Sequence, residues 1–321
     1  MPSVTFAGVS YASTPGEAVL DTLLRHGVPV SNSCRAGACQ SCLLRASAGT
    51  IPPVAQRGLK ATLVEQGYFL SCSCVPDGDL TIEPAAGLEV SAAIASLERL
   101  TPTVLRARLR LPQPFAYRAG QYVTVKRVDG LSRSYSLASL PTEDTLELHV
   151  RLAPHGQMSG WLFNEARAGD PLTLRGPAGD CFYTSGKIDQ PLLLVGTGTG
   201  LAPLAGICRD ALRQGHTGAI HLYHGARSAE GLYLQQELIA LSGRHATFQY
   251  TAVVPEADTV STADTLTRMI ANRHPSLAGW RGFVCGNPPA VSMLKKKLFL
   301  QGMPAREIFS DAFLEAPRAV R

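Results

Sequence analysis

Ser31-Asn32-Ser33-Cys34-Arg35-Ala36-Gly37-Ala38-Cys39-Gln40-Ser41-Cys42 carries three of the chain's eight cysteines. Two more follow in Tyr68-Phe69-Leu70-Ser71-Cys72-Ser73-Cys74. The pattern is Cys-x4-Cys-x2-Cys with a distant fourth thiol, either Cys72 or Cys74. The N-terminus, Met-Pro-Ser-Val-Thr-Phe, lacks a basic segment followed by a long apolar one, so no secretory leader is expected. A cytoplasmic setting keeps thiols reduced, and clustered cysteines there need a task other than disulfides. Ala36, Gly37, Ala38 and Ser41 are small enough to let a backbone wrap closely around something the thiols hold.

Two metal centres compete for that place. Zinc modules pair Cys-x2-Cys with a second such pair or with His-x3-5-His, and neither partner is present. Cys-x4-Cys-x2-Cys with a remote fourth cysteine is the spacing of a [2Fe–2S] cluster. Two irons and two sulfides need four thiolates, and loop N–H groups bonded to the sulfurs tune the potential. The segment resembles plant-type ferredoxin domains. That resemblance implies a β-grasp fold and selects Cys72, separated from Cys42 by 29 residues, as fourth ligand beside Cys34, Cys39 and Cys42. Cys74 is then a non-ligand thiol. Arg35 is either a surface charge or a group over the cluster.

Around this loop, residues 3–11 read as a strand. Ala18, Leu20, Leu23 and Leu24 follow at helical spacing, with Gly27 as a stop. Residues 84–90, Pro-Ala-Ala-Gly-Leu-Glu-Val, have linker composition. A chain of 321 residues argues for two or three domains, expected at 1–87, 88–186 and 187–321. Hydrophobic residues at 45% against 17% charged exclude a disordered chain. Net charge over the three segments is −1, +2 and +4, too even for a nucleic-acid binder. Lys295-Lys296-Lys297 reads as a solvated helix face. The most apolar stretch, residues 191–207, is too short and glycine-rich to span a membrane.

In the middle segment Leu105, Ala107, Leu109 and Leu111 alternate with polar residues, Val123 and Val125 alternate with Tyr122, Thr124 and Lys126, and Leu146, Leu148 and Val150 repeat the pattern. Short strands at this spacing predict an antiparallel barrel. Three motifs lie on it: Arg133-Ser134-Tyr135-Ser136, His155-Gly156-Gln157-Met158-Ser159 and Gly176-Pro177-Ala178-Gly179. Singly each has an ordinary reading, as packing, helix cap or turn. In this order they resemble the flavin domain of the ferredoxin–NADP⁺ reductase family. The resemblance implies FAD, with Tyr135 stacked on the isoalloxazine and Ser136 catalytic beside the flavin N5. Arg133, with Ser134 next to it, would meet the pyrophosphate. Gly156, Gln157, Met158 and Ser159 would offer it N–H groups at a helix start. His155 stands where glycine is more usual. Arg151 is a further cofactor contact.

Pro191-Leu-Leu-Leu-Val195 is a continuous apolar run, read as a buried parallel strand. Gly196-Thr197-Gly198-Thr199-Gly200 follows, then a helix to about Gln214. Strands at 220–223, 248–254 and 282–285 and a helix at 229–241 complete an open parallel α/β sheet. A glycine-rich strand–helix turn aims N–H dipoles at a phosphate. Cys285-Gly286-Asn287-Pro288 resembles the family's nicotinamide-side motif. There Cys285 would sit beside the hydride-transferring carbon, with Gly286 and Pro288 shaping the loop. Arg227, in Gly225-Ala226-Arg227-Ser228, would meet the adenosine ribose. NADH is expected, with NADPH tolerated. His149, His155, His221 and His224 are not at zinc-protease spacing and read as surface or loop histidines.

The resemblance covers essentially the whole chain and points to the reductase components of multicomponent bacterial oxygenases, such as those of naphthalene dioxygenase, benzoate dioxygenase and soluble methane monooxygenase. It implies hydride transfer from NAD(P)H to FAD and single electrons passed through the [2Fe–2S] cluster to a Rieske-type oxygenase or its ferredoxin. A di-iron hydroxylase, a cytochrome P450 or a deoxysugar dehydrase are other acceptors of the same build. A redox sensor without turnover is the reading from a different class, and negligible NADH–ferricyanide activity would mark it. No nucleic-acid or membrane partner is expected.

Overall fold

A computed structural model describes residues 2–59, 61–85, 89–257 and 259–314. The N-terminal sheet comprises β1 (Ser3–Phe6), β2 (Val9–Ala12), β3 (Leu43–Ala48), β4 (Tyr68–Leu70) and β5 (Leu80–Pro84), ordered β2-β1-β5-β3-β4. Two helices join it, α1 (Val19–Arg25) and α2 (Ala61–Glu65). β1 and β5 run parallel in the middle, flanked by antiparallel partners. Helix α1 buries Val19, Leu20 and Leu23 against Val4, Leu44, Phe69 and Ile82, giving the expected β-grasp core. The strand expected over 3–11 is instead a hairpin. Ala7 and Gly8 both take positive φ, 50° and 80°, the geometry of a two-residue turn that matches strand twist.

The second sheet is fully antiparallel. Its strands are β6 (Glu89–Thr101), β7 (Val104–Arg110), β8 (Tyr122–Lys126), β9 (Ser132–Ser136), β10 (Leu146–Arg151) and β11 (Pro171–Ala178), with α3 (Gln157–Asn164) before the last. They order as β10-β7-β6-β11-β8-β9. A bridge between Leu137 and Leu148 ties the two outer strands together and closes the barrel. Leu105, Leu109, Val123, Val125, Leu148 and Val150 fill it, as their alternation predicted. Glu89 and Val90 begin β6 rather than continue a linker, and residues 86–88 of that expected linker lie outside the described residues.

The C-terminal sheet is fully parallel. It holds β12 (Leu192–Thr197), β13 (Ile220–Gly225), β14 (Phe248–Val253), β15 (Arg281–Gly286) and β16 (Ile308–Ala312), ordered β14-β13-β12-β15-β16. Helices α4 (Leu201–Arg213), α5 (Gln235–Arg244), α6 (Thr262–Arg273) and α7 (Pro288–Leu300) cover it. Leu192 and Leu194 belong to one apolar cluster and Leu193 and Val195 to another, so β12 is buried on both faces. The strand order reverses at β12, where open α/β sheets bind ligands beyond their carboxyl ends. The helix expected over 229–241 is broken. A 3₁₀ turn spans Ala229–Gly231, and Leu234 at φ 56° precedes α5. Residues 186–190, at the expected boundary between the second and third domains, form a turn held to this sheet. Thr217 and Gly218 N–H donate to Ile188 O at 2.8 and 3.2 Å.

The histidine expectation needs correcting. His149 and His224 are buried on β10 and β13, and His221 is half-buried on β13; only His155 lies in a loop. Lys295–Lys297 are exposed on α7 as expected. Among the described residues no helix is long and apolar enough to cross a membrane.

Candidate functional site

The cysteine loop is bent by three left-handed residues, Arg35 (φ 51°), Gly37 (72°) and Gln40 (57°). Such bends turn successive N–H groups inward and make a concave nest for negative charge. Ala36 and Cys39 N–H each donate to Cys34 Sγ at 3.4 Å, and Cys34 N–H donates to Cys39 Sγ at 3.4 Å. A Cβ on Gly37 would stand 2.8 Å from Ser73 Oγ. Glycine therefore admits the Ser71–Ser73 turn that carries Cys72.

The thiols form two pairs. Cys34 is held down at about 5 by Cys39's hydrogen bond first and then by the N–H groups of Ala36, Cys39 and Ala38. Cys72 is held at about 6 by Cys42 first, then by Ser73 and the Gly37 N–H. Cys39 and Cys42, the donors of their pairs, are pushed up. Among the described residues no three His, Cys, Asp or Glu side chains converge on one metal ion. Two thiol pairs ringed by N–H donors fit a two-iron cluster. Cys74 is fully buried in the β-grasp core, and burial pushes its thiol up to about 12. Arg35 is exposed and pairs with Asp21 of α1.

Strand β9 presents the flavin motif. Arg133, Ser134 and Tyr135 are half-buried on it, and Tyr135 packs against the barrel core, where burial pushes its phenol up. Arg133 Nη1 donates to Ser132 O at 2.6 Å, and Ser134 Oγ lies 3.1 Å from Thr124 Oγ1. Arg151 ends β10 opposite Val104. Gly156 caps α3, and His155 takes φ 58°, the conformation the more usual glycine would adopt freely. Met158 is buried in the barrel core. Ser159 Oγ accepts from Ala153 N–H at 3.1 Å and donates to Gly156 O at 3.3 Å. These two side chains therefore shape the turn, and with Gln157 they offer a ligand their backbone. A depression of about 390 Å³ opens there, lined by residues 152–156, Gly160 and Asn164.

The glycine turn after β12 is pressed against the loop after β15. A Cβ on Gly200 would strike Cys285 O, and one on Gly286 would strike Thr197 Oγ1. Thr197 Oγ1 also accepts the Asn287 N–H at 3.2 Å. Gly198 takes φ 54° and leaves open space where a Cβ would point. Its carbonyl is 3.2 Å from Nε2 of the buried His224. Thr199 completes the turn into α4, Pro288 opens α7, and Arg227 is exposed just past β13.

Ser136 and Cys285 meet through a residue the sequence reading gave no role, Asp311 on β16. Ser136 Oγ donates to Asp311 Oδ2 at 2.8 Å, and Asp311 is the register partner of Cys285. Burial raises the Asp311 carboxyl above its ordinary value, offset in part by the Ser136 hydrogen bond. Burial, then the neighbouring Cys181 thiol 3.6 Å away, pushes Cys285 well up, so it stays a thiol. Asp311 lies in Glu307-Ile-Phe-Ser-Asp-Ala-Phe313, a segment that resembles the endings of oxygenase reductases but carries no local sign of the acid's partner.

Family profiles match in the same order: a 2Fe-2S iron-sulfur cluster binding domain over residues 5–77, an oxidoreductase FAD-binding domain over 91–183 and an oxidoreductase NAD-binding domain over 194–296. The chain is 33% identical over 93% of its length, and 94% of the relative's, to the ferredoxin–NAD(P)⁺ reductase component of a Ralstonia naphthalene 1,2-dioxygenase/salicylate 5-hydroxylase system. The chain belongs to the ferredoxin–NAD(P)⁺ reductase family. This reductase is an NAD(P)H-dependent oxidoreductase with domains for a [2Fe–2S] cluster, FAD and NAD(P)H. It is also 34% identical, over 98% of its length and 99% of the relative's, to the reductase subunit of an Amycolatopsis aromatic O-demethylase. A crystal structure of an Amycolatopsis cytochrome P450 reductase superposes with a TM-score of 0.69 at 31% identity, covering 98% of this chain and 99% of that one.

Proposed function

We propose that the reductase takes hydride from NADH at the Ser136–Asp311–Cys285 site and sends single electrons through the Cys34/Cys39/Cys42/Cys72 loop to an oxygenase acting on aromatic substrates, through a Rieske-type acceptor. One observation carries this. Ser136 Oγ and Asp311 Oδ2 are 2.8 Å apart, and Tyr122, the register partner of Ser136, donates to Ala38 O inside the cysteine loop at 2.9 Å. FAD, when bound, accepts an electron pair and releases its electrons singly, and a [2Fe–2S] cluster stores them one at a time.

The chain's own residues do the rest. Tyr135 gives the ring system a face to lie on, and Arg133 with the start of α3 meets its phosphates. The glycine turn and Arg227 hold the dinucleotide. Cys285, kept as a neutral thiol, packs beside the nicotinamide. The Ser136–Asp311 pair holds a proton between Oγ and Oδ2 and can pass it to or from the reacting edge. Plant-type clusters lie near roughly −400 mV, below Rieske centres, so onward transfer is downhill. The four cysteines outside the cluster set, Cys74, Cys181, Cys208 and Cys285, form no disulfide, which fits a reducing, cytoplasmic setting.

The test is reduction of purified acceptors by NADH. A Rieske ferredoxin or oxygenase reduced at least tenfold faster than a bacterial P450 supports the reading. The second reading is a P450 acceptor, favoured by the Amycolatopsis relative's full-length match, and the reverse ranking would establish it.

A further inference from the structure

We propose that Tyr122 is a positioning residue that couples the flavin barrel to the cluster loop through one peptide unit ending on the Cys34 sulfur. This rests on the cofactor reading above. Tyr122 Oη donates to Ala38 O at 2.9 Å. That carbonyl shares a peptide group with the Cys39 N–H, and the same N–H donates to Cys34 Sγ at 3.4 Å. Donation to an amide carbonyl polarises the amide and strengthens its N–H as a donor. The phenol therefore adds positive character at the sulfur without touching it. Hydrogen bonds to cluster sulfurs stabilise the reduced, more negative state.

Tyr122 is the cross-strand neighbour of Ser136 in the β8–β9 register, so their side chains share one face of the sheet. Gly179, at φ 92°, makes room for the ring, because a Cβ there would stand 2.9 Å from two ring carbons. Burial raises the phenol's pKa and keeps it protonated as a donor. Two other barrel side chains hold the loop differently. Ser132 Oγ donates to Asn32 O at 3.3 Å, ahead of the first cysteine, and Arg175 Nη1 donates to Ser41 O and Leu43 O at 3.0 and 3.3 Å. Ser132 holds the loop ahead of its cysteines and Arg175 holds its C-terminal end, whereas Tyr122 reaches a peptide whose N–H donates to the Cys34 sulfur.

The experiment compares the holoenzyme with Tyr122→Phe and Ser132→Ala by anaerobic, EPR-monitored redox titration and by stopped-flow reduction with NADH. Flavin bleaching by NADH should keep its wild-type rate in both variants. The cluster midpoint potential should fall in Tyr122→Phe alone, and electron arrival at its cluster should slow several-fold. A wild-type potential and arrival rate in Tyr122→Phe would overturn the proposal. So would an equal potential shift in Ser132→Ala, since interface packing would then be the cause. A wild-type protein with bound flavin but no [2Fe–2S] signal on NADH reduction would overturn the underlying reading, a result visible before any variant is made.

Discussion

Asp311 and Cys285 occupy neighbouring strands of a parallel sheet, and the Ser136 hydroxyl arrives from the barrel to bond Asp311. A half-buried carboxyl with one donor favours its neutral form, hence its raised pKa. The sign follows from that. The raised carboxyl contributes stability below its unfolded pKa of about 3.9 and loses it as pH rises through the folded value. Asp311→Asn removes that loss. It should melt higher than wild type at pH 8, converge with it near pH 4, and lose NADH–ferricyanide activity, measured by calorimetry and steady-state kinetics. Ser136→Ala should lower hydride transfer on the order of 100-fold in stopped-flow, the cost of one preorganised donor. Cys42 belongs to the proposed cluster site. Cys42→Ser should abolish electron output to cytochrome c and keep NADH–ferricyanide turnover, because the flavin reduces ferricyanide directly. Equal loss of both in a folded variant would contradict the division of labour.

Strand β12 and the turn after it illustrate how a motif becomes a site. Leu192–Val195 read as a buried strand from apolarity alone, and the parallel pairing on both sides agrees. The glycines that follow have two separate reasons. Gly198 has φ 54°, whereas Gly200 is pressed on Cys285 O of a strand 85 residues later. Only the first reason is local. Gly200→Ala must push β15 and the turn apart. Its kcat/KM for NADH should fall on the order of 100-fold, as a displacement of about 1 Å can cause, while flavin content stays at one per chain by absorbance. The broken helix before α5 and the β1–β2 hairpin escaped sequence reading for a local reason. Leu234 and Ala7 adopt left-handed backbone that nothing in their side chains advertises.

Across the molecule, the barrel and the C-terminal domain are joined by an ion network centred on the buried Arg106. Arg106 of β7, with a side chain 8% exposed, meets Glu98 at 3.1 Å, Glu147 at 3.5 Å and Glu237 of α5 at 2.8 Å. Burial opposes ionisation of Glu147, but the hydrogen bond from His149 and the guanidinium groups of Arg106 and Arg108 hold it down at about 2. A depressed carboxyl gives stability above its unfolded pKa and loses it as pH falls, here between about 4.3 and about 2. Arg106→Ala removes one of the three partners of Glu147 and leaves Arg108 and His149 in place, so it should cost on the order of 1 kcal/mol. It should also move acid unfolding to higher pH, followed by circular dichroism.

Cysteine spacing, strand alternation and the glycine turn are written into neighbouring residues, so the three-cysteine loop, the barrel and the parallel sheet could be read from order alone. Each rests on short-range physics: a loop that wraps a cluster, a period of two on a half-buried surface, N–H groups at a helix start. Asp311, Tyr122 and the Arg106 network carry no such signature. Ser136 and Asp311 are 175 residues apart, and Tyr122 and Ala38 are 84 apart. An acid, a tyrosine or an arginine on a strand acquires its meaning only when folding buries it beside a distant partner, because desolvation and hydrogen bonding act through space and not along the chain.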